Sequence, residues 1–158
     1  MKKRRKVGLV TILAAIATGA AWYYLNIRLA ISDSEFGIYL LENDELVISD
    51  EDIMWYHRDS HEIELTDEGA RKIQALKVGV YGEPFVIKLG DEEIYNGSFW
   101  SPISSVPYQG IVIETYFYGN DNVIKLEKGY PPSSFRGFDP REDPRILYHF
   151  RRMGKLKE

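Results

Sequence analysis

Two histidines four residues apart, His57 and His61, stand beside Glu62 and Glu64, and an i, i+4 imidazole pair on one helix is a metal-chelating arrangement. The segment does not read as one helix. Ser49 or Asp50 caps a short helix that ends near Tyr56, and residues 61–65 alternate polar and apolar like a half-buried strand. The pair is read as surface histidines of a solvated loop, and no metal ligand is assigned. Ser98, Ser101, Ser104 and Ser105 also lie close together, and a serine nucleophile needs a histidine and an acid converging on it. No Gly-x-Ser-x-Gly elbow occurs, so these serines are read as turn formers and no catalytic residue is assigned.

The acidic runs Asp50-Glu51-Asp52 and Asp91-Glu92-Glu93 offer oxygen ligands for calcium, but neither has EF-hand spacing. A helix cap and a charged hairpin account for them. Gly79, Gly82, Gly90 and Gly97 fall at turns rather than in a phosphate loop, and no cofactor is implied. The chain has no cysteine, which excludes disulfides, thiolate catalysis and cysteine-ligated zinc. The remaining candidate is a contact surface in the stretch 98–108, formed by Phe99, Trp100, Pro102, Ile103, Pro107 and Tyr108. Rigid rings and prolines bury large areas at low entropy cost, which suits a partner-contact loop. The competing reading folds Phe99 and Trp100 back over one end of the sheet.

The start of the chain sets the address of whatever these residues do. Lys2, Lys3, Arg4, Arg5 and Lys6 precede 21 uncharged residues from Val7 to Ile27. At about 1.5 Å per residue that run extends about 31 Å as a helix, the thickness of a hydrocarbon core. Trp22, Tyr23 and Tyr24 supply headgroup-level rings, and positive charge stays on the cytoplasmic face. Residues 1–29 are therefore expected to form a basic head and one transmembrane anchor contacting the bilayer through Val7 to Ile27. The N-terminus is then cytoplasmic and the rest extracytoplasmic. A cleaved signal peptide fits as well, with Ala17-Thr18-Gly19-Ala20-Ala21 as its cleavage region. A pilin-like filament helix fits less well, because Val7 separates Lys6 from Gly8 and no acid occurs before Asp33.

Residues 1–28 hold six of the 20 basic residues and none of the 24 acidic ones, which leaves 14 basic against 24 acidic residues, a net of −10, in the remainder. Phosphate backbones would repel such a domain, so nucleic acid is excluded as a partner. After a linker at 30–35, the pattern over 36–158 predicts an α+β domain with a largely antiparallel sheet and two or three short helices. Strands are expected at 36–41, 45–48, 61–65, 85–89, 93–95, 111–118 and 123–126, with a turn at 119–122. Thr66 caps a helix with Ala70, Ile73 and Leu76 inward, and Asp143 caps a last helix with Pro144 in its first turn. The tail 151–157 reads as a frayed helix end.

The run Ile63-Glu64-Leu65-Thr66-Asp67-Glu68-Gly69-Ala70-Arg71-Lys72, followed by Gly82-Glu83-Pro84-Phe85-Val86-Ile87-Lys88-Leu89-Gly90-Asp91-Glu92-Glu93-Ile94, resembles the extracytoplasmic head subdomain of SecD, an accessory subunit of the protein-export translocase. The likeness covers residues 63–113. It implies an α+β fold, an extracytoplasmic location and contact with unfolded or emerging polypeptides. SecD-like subunits have several membrane helices with intramembrane polar groups, whereas Val7 to Ile27 is a single span without a charged residue, so no translocation motor carries over. The resulting expectation is a non-enzymatic, single-span binding or accessory module with a polypeptide partner. The alternatives are an anchored or secreted hydrolase or ligand-binding domain and, less favoured, the filament subunit.

Overall fold

Apolar side chains at every second position make strands the dominant element of this chain. The computed structural model describes Thr18, Gly19 and residues 35–117 and 122–158. It contains β1 (Phe36–Leu40), β2 (Leu46–Ser49), β3 (Ile53–His57), β4 (Glu62–Leu65), β5 (Glu83–Leu89), β6 (Glu92–Trp100), β7 (Tyr108–Glu114), β8 (Val123–Tyr130) and β9 (Leu156–Lys157). Two α-helices accompany them, α1 (Asp67–Ala75) and α2 (Pro144–Arg152). All belong to the unit Ser34–Glu158. The strands form one sheet in the order β2-β1-β5-β6-β7-β8-β4-β3-β9, antiparallel except for β6–β7 and β3–β9. The expected α+β class with a largely antiparallel sheet is what this architecture is.

The sheet cannot lie flat. β2 is one edge and β3 stands next to the other, so seven inter-strand gaps of about 4.8 Å would hold them about 34 Å apart in a plane. Only Asp50–Asp52 joins them, and the step from Ser49 to Ile53 reaches at most about 14 Å. The sheet therefore curls until its ends approach. Phe150 of α2 fills the seam, its ring 4.9 Å from Phe36 of β1 and 5.0 Å from Tyr56 of β3. Phe85, Ile87, Phe99, Ile111, Ile113, Ile124 and Leu126 line the same interior.

Polar contacts lock the seam. Asp50 accepts the Phe36 amide at 2.9 Å and meets His149 Nε2 at 2.7 Å, while Lys155 Nζ donates to the Asp50 carbonyl at 2.6 Å. The neighbouring Asp52 is buried and accepts from the Ser49 amide, the Ser49 hydroxyl and Lys72 Nζ at 2.8–3.0 Å. Burial alone would raise its carboxyl, yet Lys72 and the Ser49 donors hold it below the ordinary value.

Several expectations need correction. The Ser49-capped helix is one 3-10 turn, Asp50–Asp52, and Ile53–His57 is strand β3. Ile53 and Tyr56 go inward there, which a strand beside β4 permits. Strand β6 runs to Trp100, so the irregular loop begins at Ser101 and ends before Tyr108. The tail is not frayed: Leu156 and Lys157 form β9 beside β3, Tyr56 N donates to Lys155 O at 2.8 Å, and Lys157 Nζ lies 4.4 Å from the centre of the Trp55 ring.

The two capped helices stand as expected, with Thr66 Oγ1 accepting from Gly69 N and Asp143 Oδ1 from Arg145 N. The turn at 119–122 lies outside the described residues except for Asn122, and so does the span Val7 to Ile27 except for Thr18 and Gly19, both helical. Among the described residues no helix is long and apolar enough to cross a membrane.

Candidate binding groove on the outer face of the sheet

Period-two alternation sends Ile111 and Ile113 of β7, and Ile124 and Leu126 of β8, into the interior. Their neighbours Val112, Glu114, Val123, Lys125 and Glu127 must then face outward. Register brings them together. Val112 pairs with Glu127 across β7–β8, and Glu62 pairs with Lys125 across β4–β8. The result is a groove of about 590 Å³ whose lining includes Glu62, Val112, Glu114, Tyr116, Lys125 and Glu127. That volume lies in the range of small-ligand and side-chain pockets.

One wall comes from the end of β8. Gly129, Tyr130, Pro131 and Pro132 line it. Gly129 has φ +76°, and a Cβ there would stand 2.6 Å from the Phe135 amide nitrogen, so only glycine lets the chain turn into this wall. Pro131 follows a cis peptide bond and leads into the 3-10 turn Pro132–Ser134. Tyr130 Oη donates to Pro102 O at 3.3 Å, which fastens the wall to the 101–107 loop.

The electrostatics of the groove are uneven. Lys125 Nζ is 3.0 Å from Glu127 Oε1, so the cation of the floor is engaged by one carboxylate. Glu114 is half-buried, and burial, with the charge of Glu127 second, pushes its carboxyl above the ordinary value. The net lining is acidic, with tyrosine, valine and proline beside the carboxylates.

The residues of the expected contact loop separate into two groups. Phe99 and Trp100 are buried at 0% and 1% exposure, Phe99 in the interior and Trp100 against the rings of Tyr108 and Tyr130 at 5.2 and 5.8 Å. They cover the sheet and are not contact residues in this structure. Ile103 is 81% exposed and Pro107 is exposed, while Pro102 and Tyr108 are half-buried. Ser104 Oγ donates to Val80 O at 2.6 Å, tying this loop to the neighbouring one and joining Ile103 with Val80 and Tyr81 in an exposed apolar tip. The tip stands at the end of β5 and β6 opposite the point where Glu35 O accepts the Gly90 amide and the chain enters the sheet.

The histidines and serines do not converge. His57 Nε2 is 3.6 Å from Glu64 Oε2, His61 Nδ1 is 3.4 Å from Tyr56 Oη, and His149 is held by Asp50. Burial, with Arg141 second, moves the His61 imidazole below its ordinary value. Ser98 is buried and donates to Phe99 O, and Ser104 is committed to Val80. Among the described residues no group of three or more metal-ligating side chains is placed to hold an ion. Sequence reasoning missed the groove. The available signal was the outward register of 112, 114, 123, 125 and 127, which becomes a surface only when β4, β8 and β7 are known to be neighbours.

Compared with models of known families, with curated proteins and with solved structures, the chain matches none.

Proposed function

We propose that this chain is a single-span membrane protein, its N-terminus cytoplasmic, that displays a non-enzymatic, SecD-head-like binding domain outside the cytoplasm and engages exported or cell-surface polypeptides. The observation that carries the reading is the outer-face groove, whose lining brings Tyr116, Tyr130, Pro131 and Pro132 together with Glu62, Glu127 and the partly desolvated Glu114. Rings and prolines supply apolar area at low entropy cost, and carboxylates fix the orientation of what lies on them. The basic head and the uncharged run to Ile27 support the membrane address, and the order β4, α1, β5, β6 agrees with the SecD-like pattern over 63–113. The exposed tip of Val80, Tyr81 and Ile103 adds a second apolar contact zone, at the far end of the sheet from the entry of the chain at Glu35.

The test is a photo-crosslinking residue substituted for Tyr130 in full-length protein in intact membranes, alongside protease added to sealed cells. The reading expects crosslinks to polypeptides and digestion of the domain from outside. An absence of protein adducts overturns the binding role, and protection of the domain until the cells are ruptured overturns the location.

A second reading, hydrolysis, is favoured by one observation. Glu114, its carboxyl raised by burial, stands on the same lining as Glu127, whose Oε1 is 3.0 Å from Lys125 Nζ, and two carboxylates in different surroundings suit an acid and a base. Turnover of a glycoside or ester substrate that Glu114→Gln abolishes would establish it; turnover unaffected by that change would remove it.

A further inference from the structure

We infer that the groove on β4, β8 and β7 takes a cationic side chain, Lys or Arg, presented by an extended polypeptide whose neighbouring apolar residues lie on the tyrosine and proline wall. The inference rests on the polypeptide-binding reading above and specifies the chemistry of what is bound.

Charge complementarity within the groove leads to this occupant. Its lining holds Glu62, Glu114 and Glu127 against Lys125, and Lys125 is already engaged by Glu127 at 3.0 Å. Glu62, across from Lys125 in register, accepts from Ser60 Oγ at 2.9 Å, a neutral donor. Glu114 is held partly out of water beside another carboxylate, an arrangement that an arriving cation relieves and an anion aggravates. The domain as a whole repeats the sign, with 14 basic against 24 acidic residues after residue 28, so its field draws cationic segments toward the groove.

The walls argue for a side chain on a polypeptide rather than a free ion. Calcium needs six to eight converging oxygens, whereas Val112, Val123, Tyr130, Pro131 and Pro132 fill much of this lining with carbon. A Lys or Arg stem buries its methylenes against such carbon while its head reaches the carboxylates. Tyr116 and Tyr130, the latter packed on Trp100 at 5.8 Å, add further apolar lining.

The experiment uses the full-length protein in lipid nanodiscs and three fluorescent, unstructured 12-residue peptides that differ only at two central positions, carrying Arg, Gln or Glu between Val and Tyr residues. Binding is read by anisotropy at about 0.1 M salt. The Arg peptide is expected to bind at least about tenfold tighter than the Gln peptide, with the Glu peptide weakest, as a charge-assisted hydrogen bond provides. In Glu114→Gln/Glu127→Gln the preference for Arg over Gln is expected to collapse while the Gln peptide binds as before. Lys125→Gln, which frees Glu127, is expected to tighten the Arg peptide several-fold. Glu42→Gln/Glu45→Gln, in the exposed β1–β2 turn away from the groove, is expected to leave the preference intact.

Equal binding of the Arg and Gln peptides overturns the inference and leaves the polypeptide reading standing. Failure of all three peptides to bind overturns both. A preference for Arg that survives the double groove variant, or that the turn variant removes equally, reassigns it to the general field of the domain and overturns the site. Competition by millimolar calcium alone, with no discrimination among peptides, would make the groove a cation site and also overturns the inference.

Discussion

The two faces of the β7–β8 ribbon follow the same alternation and end in opposite conditions. Inward, Ile111, Ile113, Ile124 and Leu126 are at most 2% exposed and belong to the hydrophobic core. Outward, Val112 is as buried as they are, yet its neighbours on that face are Glu114, Lys125 and Glu127. The difference lies in the cover. On β6 the loop 101–107 closes over Trp100 through Ser104 and Tyr130, and over β7 and β8 a groove remains. An antiparallel sheet packs one face against a core and leaves the other to water. Here the watered face keeps partly buried carboxylates, which folding alone does not require.

The strongest way to break this comparison is on the inner face. Phe150→Ala removes the ring that holds Phe36 and Tyr56 together across the seam and leaves on α2 only the more distant contact of His149, 6.3 Å from Phe36. A loss of about 3–5 kcal/mol in unfolding free energy is expected from the cavity and lost transfer energy, measured by urea denaturation of the full chain. Under conditions where the variant stays folded, crosslinking from Tyr130 is expected to persist. A loss below about 1 kcal/mol would mean that the seam is held by its hydrogen bonds and not by this ring.

A smaller effect, with a definite pH sign, comes from the carboxylate below the seam. Asp52 has a lowered pKa in the folded state, so its ionised form stabilises the fold above the unfolded carboxylate pKa of about 3.9, and that stability is lost as pH falls through the folded value. Asp139, bidentate to Arg141 at 2.8–2.9 Å, and Asp143, engaged by Arg145, are shifted in the same direction. Asp52→Asn is expected to cost about 1–2 kcal/mol at pH 7, because Lys72 and the Ser49 donors lose their charged acceptor. The cost is expected to shrink below about pH 4, where the wild-type carboxylate itself protonates. A pH-independent cost would show that Asp52 acts through shape alone.

Much of this inner architecture was legible in the chain, and for a local reason. Thr66 and Asp143 cap their helices through contacts within three residues, and the apolar, β-branched run at 85–89 and the alternation at 62–65 depend only on neighbours in sequence. The misreadings come from partners distant along the chain. Ser49-Asp50-Asp52 carries a helix-start signal, but Ile53–His57 is claimed by β4 on one side and by Leu156–Lys157 on the other, the latter about 100 residues away. Trp100 looks like an exposed loop aromatic until Tyr108 and Tyr130 close on it. The groove depends wholly on such pairings, since Glu62, Glu114 and Glu127 stand on three strands whose adjacency no local pattern records.

The smallest expected effect sharpens the comparison most, because its sign opposes that of Asp52. Glu114 has a raised pKa, so its protonated form is favoured in the folded state; its penalty is absent below the unfolded pKa and grows as pH rises toward and past the folded value. Glu114→Gln keeps the shape of the side chain and removes the charge beside Glu127. At pH 7 it is expected to stabilise the fold by a fraction of about 1 kcal/mol, since the group is only half-buried and solvent screens it. The gain is expected to vanish near pH 4, as seen in paired denaturation curves. A buried carboxylate of the seam turn that stabilises when ionised and an outer-face carboxylate that destabilises when ionised are what separate a structural acid from one held for a ligand. If Glu114→Gln instead destabilises the fold at neutral pH, Glu114 is an ordinary partner of its own sheet, and the outer face loses its claim to be built for anything but water.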